Sequence, residues 1–325
     1  MLLIFYSGIR ISNVLHSLIK YLPQNKLGFV IDTTNILNLS GTQMNLCMRA
    51  LIHSLMRVEY LNTYRVNKFL KKFDYSKINL QFTDLDVALS IFTTEMISKG
   101  KNFSDLIEKM REYFSIDAKI IPISEQNVPI TIRIGQKLIP YLEFIQETSS
   151  DAKIQDIILN GIKDIKPSEN LKQIANSSEY ILLLPNDLAA FHAMLKIPGI
   201  RKILEEVPCP IFAICPIFNS NFLSKREIAI LNKLGYRDLN ALEFSKTVTN
   251  LADTIIIDES QKRFKDQIQS LGFQVVIGNI AIKNKTESFE LANFLFDLFP
   301  LKETARPTKA NVVTRFFSKL VKKKT

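Results

Sequence analysis

Polar residues follow three apolar stretches of the chain, at positions where their side chains could bind a ligand. Ser7 and Gly8 come after the first stretch, and Asp32 comes after the second. Asn186 follows a later stretch that begins at Tyr180. Short continuous apolar stretches are typical of buried parallel strands, whose ligands bind at the carboxyl ends, so we expect these residues to face a ligand. An aspartate at a strand end can also simply cap its loop, and for Asp32 both interpretations stay open.

Two further carboxylates, Asp84 and Asp86, stand at the start of a predicted helix, Asp84–Lys99. Carboxylate oxygens are the ligands that Mg²⁺ prefers, and they also accept hydrogen bonds from substrates. Acidic residues in the first turn of a helix equally stabilise its N-terminus without binding anything. The sequence therefore allows either a binding role or a structural role for this pair.

The elements that must position these residues alternate from the start of the chain. Apolar residues recur at helical spacing over Ile11–Tyr21, between the apolar strands Leu2–Tyr6 and Leu27–Ile31. This βαβ unit predicts an α/β fold, a Rossmann-like parallel sheet. We expect one α/β domain over residues 1–300, with a mostly helical insertion at 42–116.

The periodicity of the remaining sequence predicts further elements. Three of them lie in or beside the insertion: the helix Met44–Val58, the helix Asn102–Phe114 with Ser104 as its N-cap, and the strand Ala118–Ile123. The others are the strands Ile130–Ile134, Ile139–Phe144 and Val275–Ile277, and the helices Leu195–Glu206 (interrupted at Pro198-Gly199), Lys225–Leu234, Asp258–Leu271 and Thr286–Leu298.

Several classes of protein are disfavoured by composition. The chain has 10 glycines in 325 residues and no intact GxGxxG or Walker motif, so glycine-rich phosphate loops are few. The three histidines have no metal-ligand spacing, and no serine or cysteine nucleophile signature is present. Cys209 and Cys215 lie in or beside an apolar stretch and are expected to be buried thiols. We expect a cytoplasmic protein, since the three cysteines are scattered and no apolar run is long enough to span a bilayer.

The basic charge is concentrated in a C-terminal tail, residues 301–325. This tail has eight Lys or Arg and one Glu, which makes it +7 of a net charge of +10. The body is thus only weakly basic, which does not favour a nucleic-acid-binding domain. Residues 312–324 are amphipathic at helical spacing, which suggests a weak contact with an anionic membrane surface. A solvated tail and a helix docked on a partner are the alternatives.

Several segments together resemble one known family. They are Phe82–Ala88 with Thr94–Gly100, Ile121–Glu125, Asn186 with Lys196–Arg201, Cys215–Ile217 and Ile257–Glu259. In this order and spacing they are similar to motifs of the 2-phospho-L-lactate transferase family, and the similarity covers roughly residues 1–299. Asp84, Asp86 and Asn186 match polar positions of these motifs.

Other polar positions of the family differ here. Its glycine-rich loop after the first strand, Gly-Gly-Thr-Gly-Gly, corresponds to residues 7–11, where Arg10 could contact a phosphate in place of the lost glycines. Its Asn-Thr-Gly-Asp-Asp after the second strand corresponds to residues 32–36, which include Asn35, and its Ser-Pro-Asp-x-Asp to residues 40–44. Its His and Arg on the following helix correspond to Ser90 and Thr93, and its loop serine corresponds to Pro185.

The resemblance implies a function. Members of this family move a phospholactyl or phosphoenolpyruvyl-type group from a guanosine diphosphate carrier to the deazaflavin Fo, with Mg²⁺, and the family precedent suggests a homodimer. The resemblance implies that Asp84 and Asp32 are catalytic and that substrate is bound by Ser7, Gly8, Arg10, Asn35, Asp86 and Asn186. The altered loops leave an alternative open, a binding protein for a nucleotide or deazaflavin that has lost turnover on the same scaffold.

Overall fold

The computed structural model describes residues 1–9, 12–34, 36–39, 41–56, 63–72, 82–146, 153–217, 223–281 and 285–302. Within these residues the strands are β1 (Leu2–Ser7), β2 (Leu27–Ile31), β3 (Ile36–Leu39), β4 (Thr42–Asn45), β5 (Lys119–Pro122), β6 (Ile130–Ile134), β7 (Lys137–Pro140), β8 (Asp156–Leu159), β9 (Tyr180–Pro185), β10 (Ile211–Ile214), β11 (Thr254–Asp258) and β12 (Gln274–Gly278).

The helices in the same residues number thirteen, with short 3-10 segments at Gln24–Lys26, Ile162–Asp164 and Glu259–Phe264. They are α1 (Asn13–Tyr21), α2 (Leu46–Leu55), α3 (Arg65–Lys72), α4 (Asp84–Ser98), α5 (Phe103–Phe114), α6 (Tyr141–Gln146), α7 (Leu171–Asn176), α8 (Leu188–Lys196), α9 (Ile200–Glu205), α10 (Lys225–Lys233), α11 (Ala241–Thr247), α12 (Lys265–Gln269) and α13 (Lys285–Leu298). Among them, no helix is both long and apolar enough to cross a membrane.

Seven strands form one parallel sheet, in the order β12-β11-β10-β9-β1-β2-β5. Alternate residues of β1 pack on opposite faces of this sheet, as the two-residue period of a strand requires. Leu2, Ile4 and Tyr6 belong to a core with side chains of α1, α2, α5 and α13. Leu3 and Phe5 belong to a second core with side chains of α7, α8, α9 and α11. Helices therefore cover both faces, and the predicted Rossmann-like α/β fold is confirmed.

Two smaller sheets lie outside the main sheet. β3 and β4 form an antiparallel hairpin, and β7, β6 and β8 form an antiparallel three-stranded sheet. The hairpin corrects the predicted helix Met44–Val58, because Met44 pairs with Leu37 across it. The helix begins only at Leu46, after Asn45 caps it by accepting a hydrogen bond from the backbone N–H of Met48 at 2.8 Å.

Other boundaries also differ from the predictions. The N-cap of α5 is Asn102, which accepts from the backbone N–H of Asp105, while the predicted cap Ser104 hydrogen-bonds to Glu125. The predicted strand Ile139–Phe144 is wrong after its second residue. Pro140, which has no N–H to offer a strand partner, ends β7, and a helix follows at once.

The interrupted helix predicted at Leu195–Glu206 is two helices, α8 and α9, and the first of them begins earlier than expected, at Leu188. The break falls at the predicted Pro198-Gly199, where Gly199 has a φ of +91°. The predicted helix Asp258–Leu271 is a 3-10 segment followed by the short α12. Of the expected thiols, Cys215 is buried and Cys209 is partly exposed. Tail residues 303–325 lie outside the described residues.

Candidate functional site

The centre of the main sheet contains a topological switch point. β2 lies on one side of β1, and the later strand β9 lies on the other side. The connections after β1 and β9 therefore leave the carboxyl edge in different directions. A crevice forms at such a point, and it is where open α/β sheets bind their ligands.

Ser7 and Asn186 meet at this edge because β1 and β9 are paired up to their last residues, Ser7 and Pro185. The carbonyl of Ser7 accepts the backbone N–H groups of Asn186 at 2.9 Å and of Asp187 at 3.1 Å. The Ser7 hydroxyl, which is fully buried, donates to the carbonyl of Asp187 at 2.8 Å. The buried serine thus fixes the loop after β9, while Asn186 stays exposed at its tip.

Gly8 lies under the same loop. Its φ is +134°, and a Cβ added to it would lie 3.0 Å from both the Cβ and the Nδ2 of Asn186. A side chain here would be strained and would push the loop after β9 away. The single glycine left at the position of the family's glycine-rich loop is therefore where the loop after β1 approaches the loop after β9 closely.

Asp32 joins the loops after β1 and β2. One of its carboxylate oxygens accepts the N–H of Gly8 at 3.0 Å, and the other accepts the N–H and the hydroxyl of Thr34 at 3.1 and 2.9 Å. The side chain of Asn45 donates to the carbonyl of Asp32 at 2.9 Å, which ties the start of α2 to the same place. Asp32 is fully buried, so its carboxylate joins the two loops from inside the protein.

Asp187 is a site residue that the sequence analysis missed. Its carboxylate accepts the N–H of Ala190 at 3.0 Å and caps α8, and both of its oxygens lie 3.0 Å from the hydroxyl of Tyr141. Burial raises the pKa of Asp187 to about 6, against the hydrogen bond from Ala190, and the negative charge of Asp32 acts in the same direction as burial. Its surroundings therefore favour the protonated form more than those of an ordinary aspartate do.

Asp86, in the first turn of α4, contacts α2. Arg49 binds its two oxygens at 2.7 and 2.8 Å, His53 lies 2.7 Å away, and the backbone N–H of Thr83 donates at 2.7 Å. Burial alone would raise the pKa of Asp86, but the hydrogen bonds from His53, Arg49 and Thr83 outweigh it and hold the pKa well below the usual range. Its oxygens are thus occupied by protein donors that join α4 to α2.

Asp84 also has protein partners. Its carboxylate accepts the hydroxyl of Thr63 at 2.5 Å and the backbone N–H of Val66 at 3.0 Å. The hydrogen bond from Thr63, followed by that from Val66, lowers the pKa of Asp84. Asp84 therefore holds the first turn of α3 against α4. The roles expected for Asp84 and Asp86 in catalysis and substrate binding stay predictions.

Hydrogen bonds and close contacts join four of the predicted residues, Ser7, Gly8, Asp32 and Asn186, whereas the partners seen for Asp84 and Asp86 include residues of α3 and α2. Arg10 and Asn35 lie outside the described residues. Of the matched positions, Ser90 and Thr93 are buried in α4.

The described carboxylates have partners within the protein. Within the ranges that the structure covers, no group of three or more His, Cys, Asp or Glu side chains is placed to hold a metal ion. Asp32, Asp84 and Asp86 direct their oxygens at N–H and O–H donors of the protein. Mg²⁺ is bound through such oxygens, so a magnesium site stays a prediction.

A cavity of about 770 Å³ lies elsewhere, between α10 and α12. Arg237 and Arg263 line it, and the guanidinium of Arg263 lies 4.8 Å from the ring centre of Phe264. Both arginines are exposed, so this cavity has the character of an ordinary solvated cleft. None of the predicted site residues lines it.

Sequence patterns contained part of the signal for Asp187. An aspartate between a buried strand and an apolar helix is an N-cap pattern, and Asp187 could have been identified as a cap on that ground. Tyr141 gave no such signal, because it comes from a segment 46 residues earlier that was expected to be a strand. Arg49 and His53 had no signal in the sequence either, because their partner Asp86 lies more than 30 residues away along the chain.

Comparisons with known proteins agree with the resemblance found in the sequence. The family model described as 2-phospho-L-lactate transferase CofD matches residues 11–287. The 2-phospho-L-lactate transferase of Methanococcus maripaludis strain S2 is 23% identical over 243 residues, covering 73% of this chain and 76% of that protein. The protein of the same name from Methanococcoides burtonii is 18% identical over 307 residues, covering 92% and 99%.

A solved structure shares the fold. The crystal structure of a member of the UPF0052 family from Bacillus halodurans superposes with a TM-score of 0.56 at 13% identity, covering 86% of this chain and 92% of that one. At this identity the likeness concerns the fold alone.

Proposed function

Because the chain belongs to the 2-phospho-L-lactate transferase family, we propose that it transfers a phospholactyl or phosphoenolpyruvyl-type group from a guanosine diphosphate carrier to the deazaflavin Fo. The observation that carries the proposal is the meeting of Ser7, Gly8, Asp32 and Asn186 at the switch point. Four of the residues expected to act on substrate come from three separate loops and lie at the edge where such sheets bind ligands.

Each loop has a distinct task in this proposal. The close approach at Gly8 leaves the exposed side chain of Asn186 at the rim, where an amide can donate to a phosphate oxygen. Arg10, two residues after Gly8 in the sequence, would neutralise phosphate charge. Asp32 joins the loops after β1 and β2, so that the donor and acceptor are held in position. Positioning and charge neutralisation are the main means of catalysis in such transfers.

A specific observation favours a second candidate, a binding protein that has lost turnover. The carboxylates of Asp84 and Asp86 already have protein partners, and the described residues assemble no metal site. Such a protein would bind the guanosine diphosphate carrier or the deazaflavin at the same edge and form no product.

The test is a transfer reaction with purified protein, Fo, the guanylated phospholactate donor and Mg²⁺, with products identified by mass spectrometry. We expect phospholactyl-Fo and GMP in equal amounts, above a reaction without protein. A parallel reaction with EDTA in place of Mg²⁺ decides whether the metal is needed. Folded protein that binds the donor by calorimetry but forms no product would contradict the transferase proposal and support the second candidate.

A further inference from the structure

Asp187 lies at the switch point, and hydrogen bonds hold both its backbone and its side chain. Its backbone N–H and C=O are fixed by Ser7, and its side chain is fixed by Ala190 and Tyr141. The oxygen Oδ1 accepts the N–H of Ala190, the hydroxyl of Tyr141 lies 3.0 Å from both oxygens, and the backbone N–H of Ala189 also interacts with the carboxylate. A carboxylate offers about four acceptor positions, so these three donors leave room for a further donor at the edge where the predicted substrate residues meet.

We propose that Asp187 is the general base of the reaction, with Tyr141 as its positioning residue. This inference rests on the proposed function. The hydroxyl oxygen of the acceptor attacks the phosphorus of the phospholactyl group, and a new O–P bond forms. The bond between that phosphorus and the bridging oxygen of the guanosine monophosphate breaks, and GMP leaves with the electron pair. The acceptor's hydroxyl proton passes to the carboxylate of Asp187 and then to water.

The surroundings of Asp187 suit this role. A general base works best when its pKa lies near the working pH, and an ordinary aspartate, with a pKa near 4, is a weak base. Burial and the negative charge of Asp32 bring the pKa of Asp187 to about 6. The other titratable groups that face it are Tyr6 and Tyr141, and Glu227 acts on Tyr141. Burial raises the pKa of both tyrosines, so they stay neutral and Tyr141 remains a donor.

The cap that Asp187 gives to α8 offers a matched pair of variants. Asparagine caps helices as well as aspartate does, so Asp187→Asn keeps the hydrogen bond to Ala190 but cannot take a proton. Asp187→Ala loses both functions. If Asp187 only caps α8, the Asn variant should keep the wild-type rate and the Ala variant should lose it. If Asp187 is the general base, both variants should lose it.

The experiment measures single-turnover rates of phospholactyl-Fo formation between pH 5 and 9, with enzyme in excess, and KM for both substrates. For the wild type we expect the rate to fall tenfold per pH unit below about pH 6, because the protonated carboxyl cannot accept a proton. Asp187→Asn should lower the rate by about 10²–10⁴-fold and remove the fall in rate at low pH, with KM within about threefold of the wild-type value. Tyr141→Phe removes a hydrogen bond that lowers the pKa of Asp187, so the fall in rate should begin at a higher pH.

Two outcomes would overturn the inference, and they are distinguishable. If the wild type is active and the rate of Asp187→Asn lies within about threefold of the wild-type rate, Asp187 is not the base, and the proposed function is unaffected. Folded wild type that forms no product overturns the proposed function and this inference together.

Discussion

At the residue scale, the carboxylate of Asp32 is the contact on which the crevice depends most. It accepts three donors from two loops, and it is fully buried. A buried N–H that loses its acceptor costs more free energy than the hydrogen bond itself contributed, because the group cannot return to water. The geometry of the loop that includes Gly8 is therefore set by a residue of the neighbouring strand.

Replacing Asp32 by Asn tests this contact. The amide has one acceptor oxygen in place of two, and its NH₂ group would face an N–H donor. We expect the free energy of unfolding to fall by about 2–3 kcal/mol in urea denaturation. Thr34→Val, which removes only one of the donors, serves as the control and should cost about 1 kcal/mol. A stability of Asp32→Asn equal to that of the wild type would show that the carboxylate does not hold the loops.

Asp86 gives a second prediction, on the pH dependence of stability. Its pKa is lowered in the folded protein, so its contribution is complete above the unfolded value, near 3.9, and is lost as the pH falls toward the folded value. Asp86→Asn should cost about 3–5 kcal/mol at pH 7, since it leaves Arg49 without its carboxylate.

The measurement is urea denaturation of the wild type and Asp86→Asn at pH 7, 5, 4 and 3. The difference in unfolding free energy should stay constant down to about pH 5 and then shrink. Asp84→Asn, in the same helical turn but more exposed, is the control and should have a much smaller effect. A difference that stays the same at pH 3 would contradict the ion pair.

At the element scale, the paired ends of β1 and β9 bring two loops into contact, and Gly8 is the position that permits it. Gly8→Ala combines a left-handed backbone with contacts of 3.0 Å to Asn186, so we expect a loss of about 1–3 kcal/mol. Displacement of the Asn186 loop should also weaken donor binding, measured by calorimetry.

Gly41→Ala is the matched control for this change. Gly41 also has a positive φ, of +92°, but an added Cβ would meet no atom within 4 Å. It should lose about 1 kcal/mol of stability and keep donor affinity. Equal donor affinities of the two variants would mean that the contact between the loops does not matter for binding.

The elements that the sequence predicted well are those with continuous apolar runs or uninterrupted helical stripes. β1, β2 and α4 are of this kind, and their ends place Ser7 and Asp32 correctly. The hairpin of β3 and β4 was missed because its residue Met44 fits the apolar stripe of the helix that follows. Strand and helix periods cannot be told apart over so few residues.

The site was predicted less completely than the fold. Residues at strand ends could be found because parallel strands share one carboxyl edge. The pair of Asp187 with Tyr141, and that of Asp86 with Arg49, depend on contacts across 46 and 37 residues of chain. Spacing in a single sequence contains no information on such contacts, so the two carboxylates could not be assigned different roles from the sequence.

At the scale of the whole molecule, the charge is divided between a weakly basic body and a basic C-terminal segment. The last described residues are held in place, since Leu301 is buried and the backbone N–H of Lys302 donates to Glu179 at 3.1 Å. A chain cut after Lys302 keeps these contacts and loses seven Lys or Arg and one Glu.

We predict that this truncation leaves the urea midpoint unchanged and removes weak binding to vesicles of anionic lipid. Binding of the full chain should fall as salt rises from about 0.05 to 0.5 M, because screening shortens the reach of the charges. Cosedimentation with anionic and with neutral vesicles measures this, and neutral vesicles are the control. Equal binding of the full and truncated chains to anionic vesicles would show that the tail is not a membrane contact.

The central claim is that ligands bind at the carboxyl edge where β1, β2 and β9 meet. Hydrogen–deuterium exchange with and without the guanylated donor tests it most directly, because it locates binding even in a protein without turnover. We predict slower exchange in peptides that contain residues 7–9, 32–34 and 186–190. Protection confined to the cleft between α10 and α12, around Arg237 and Arg263, would contradict the claim.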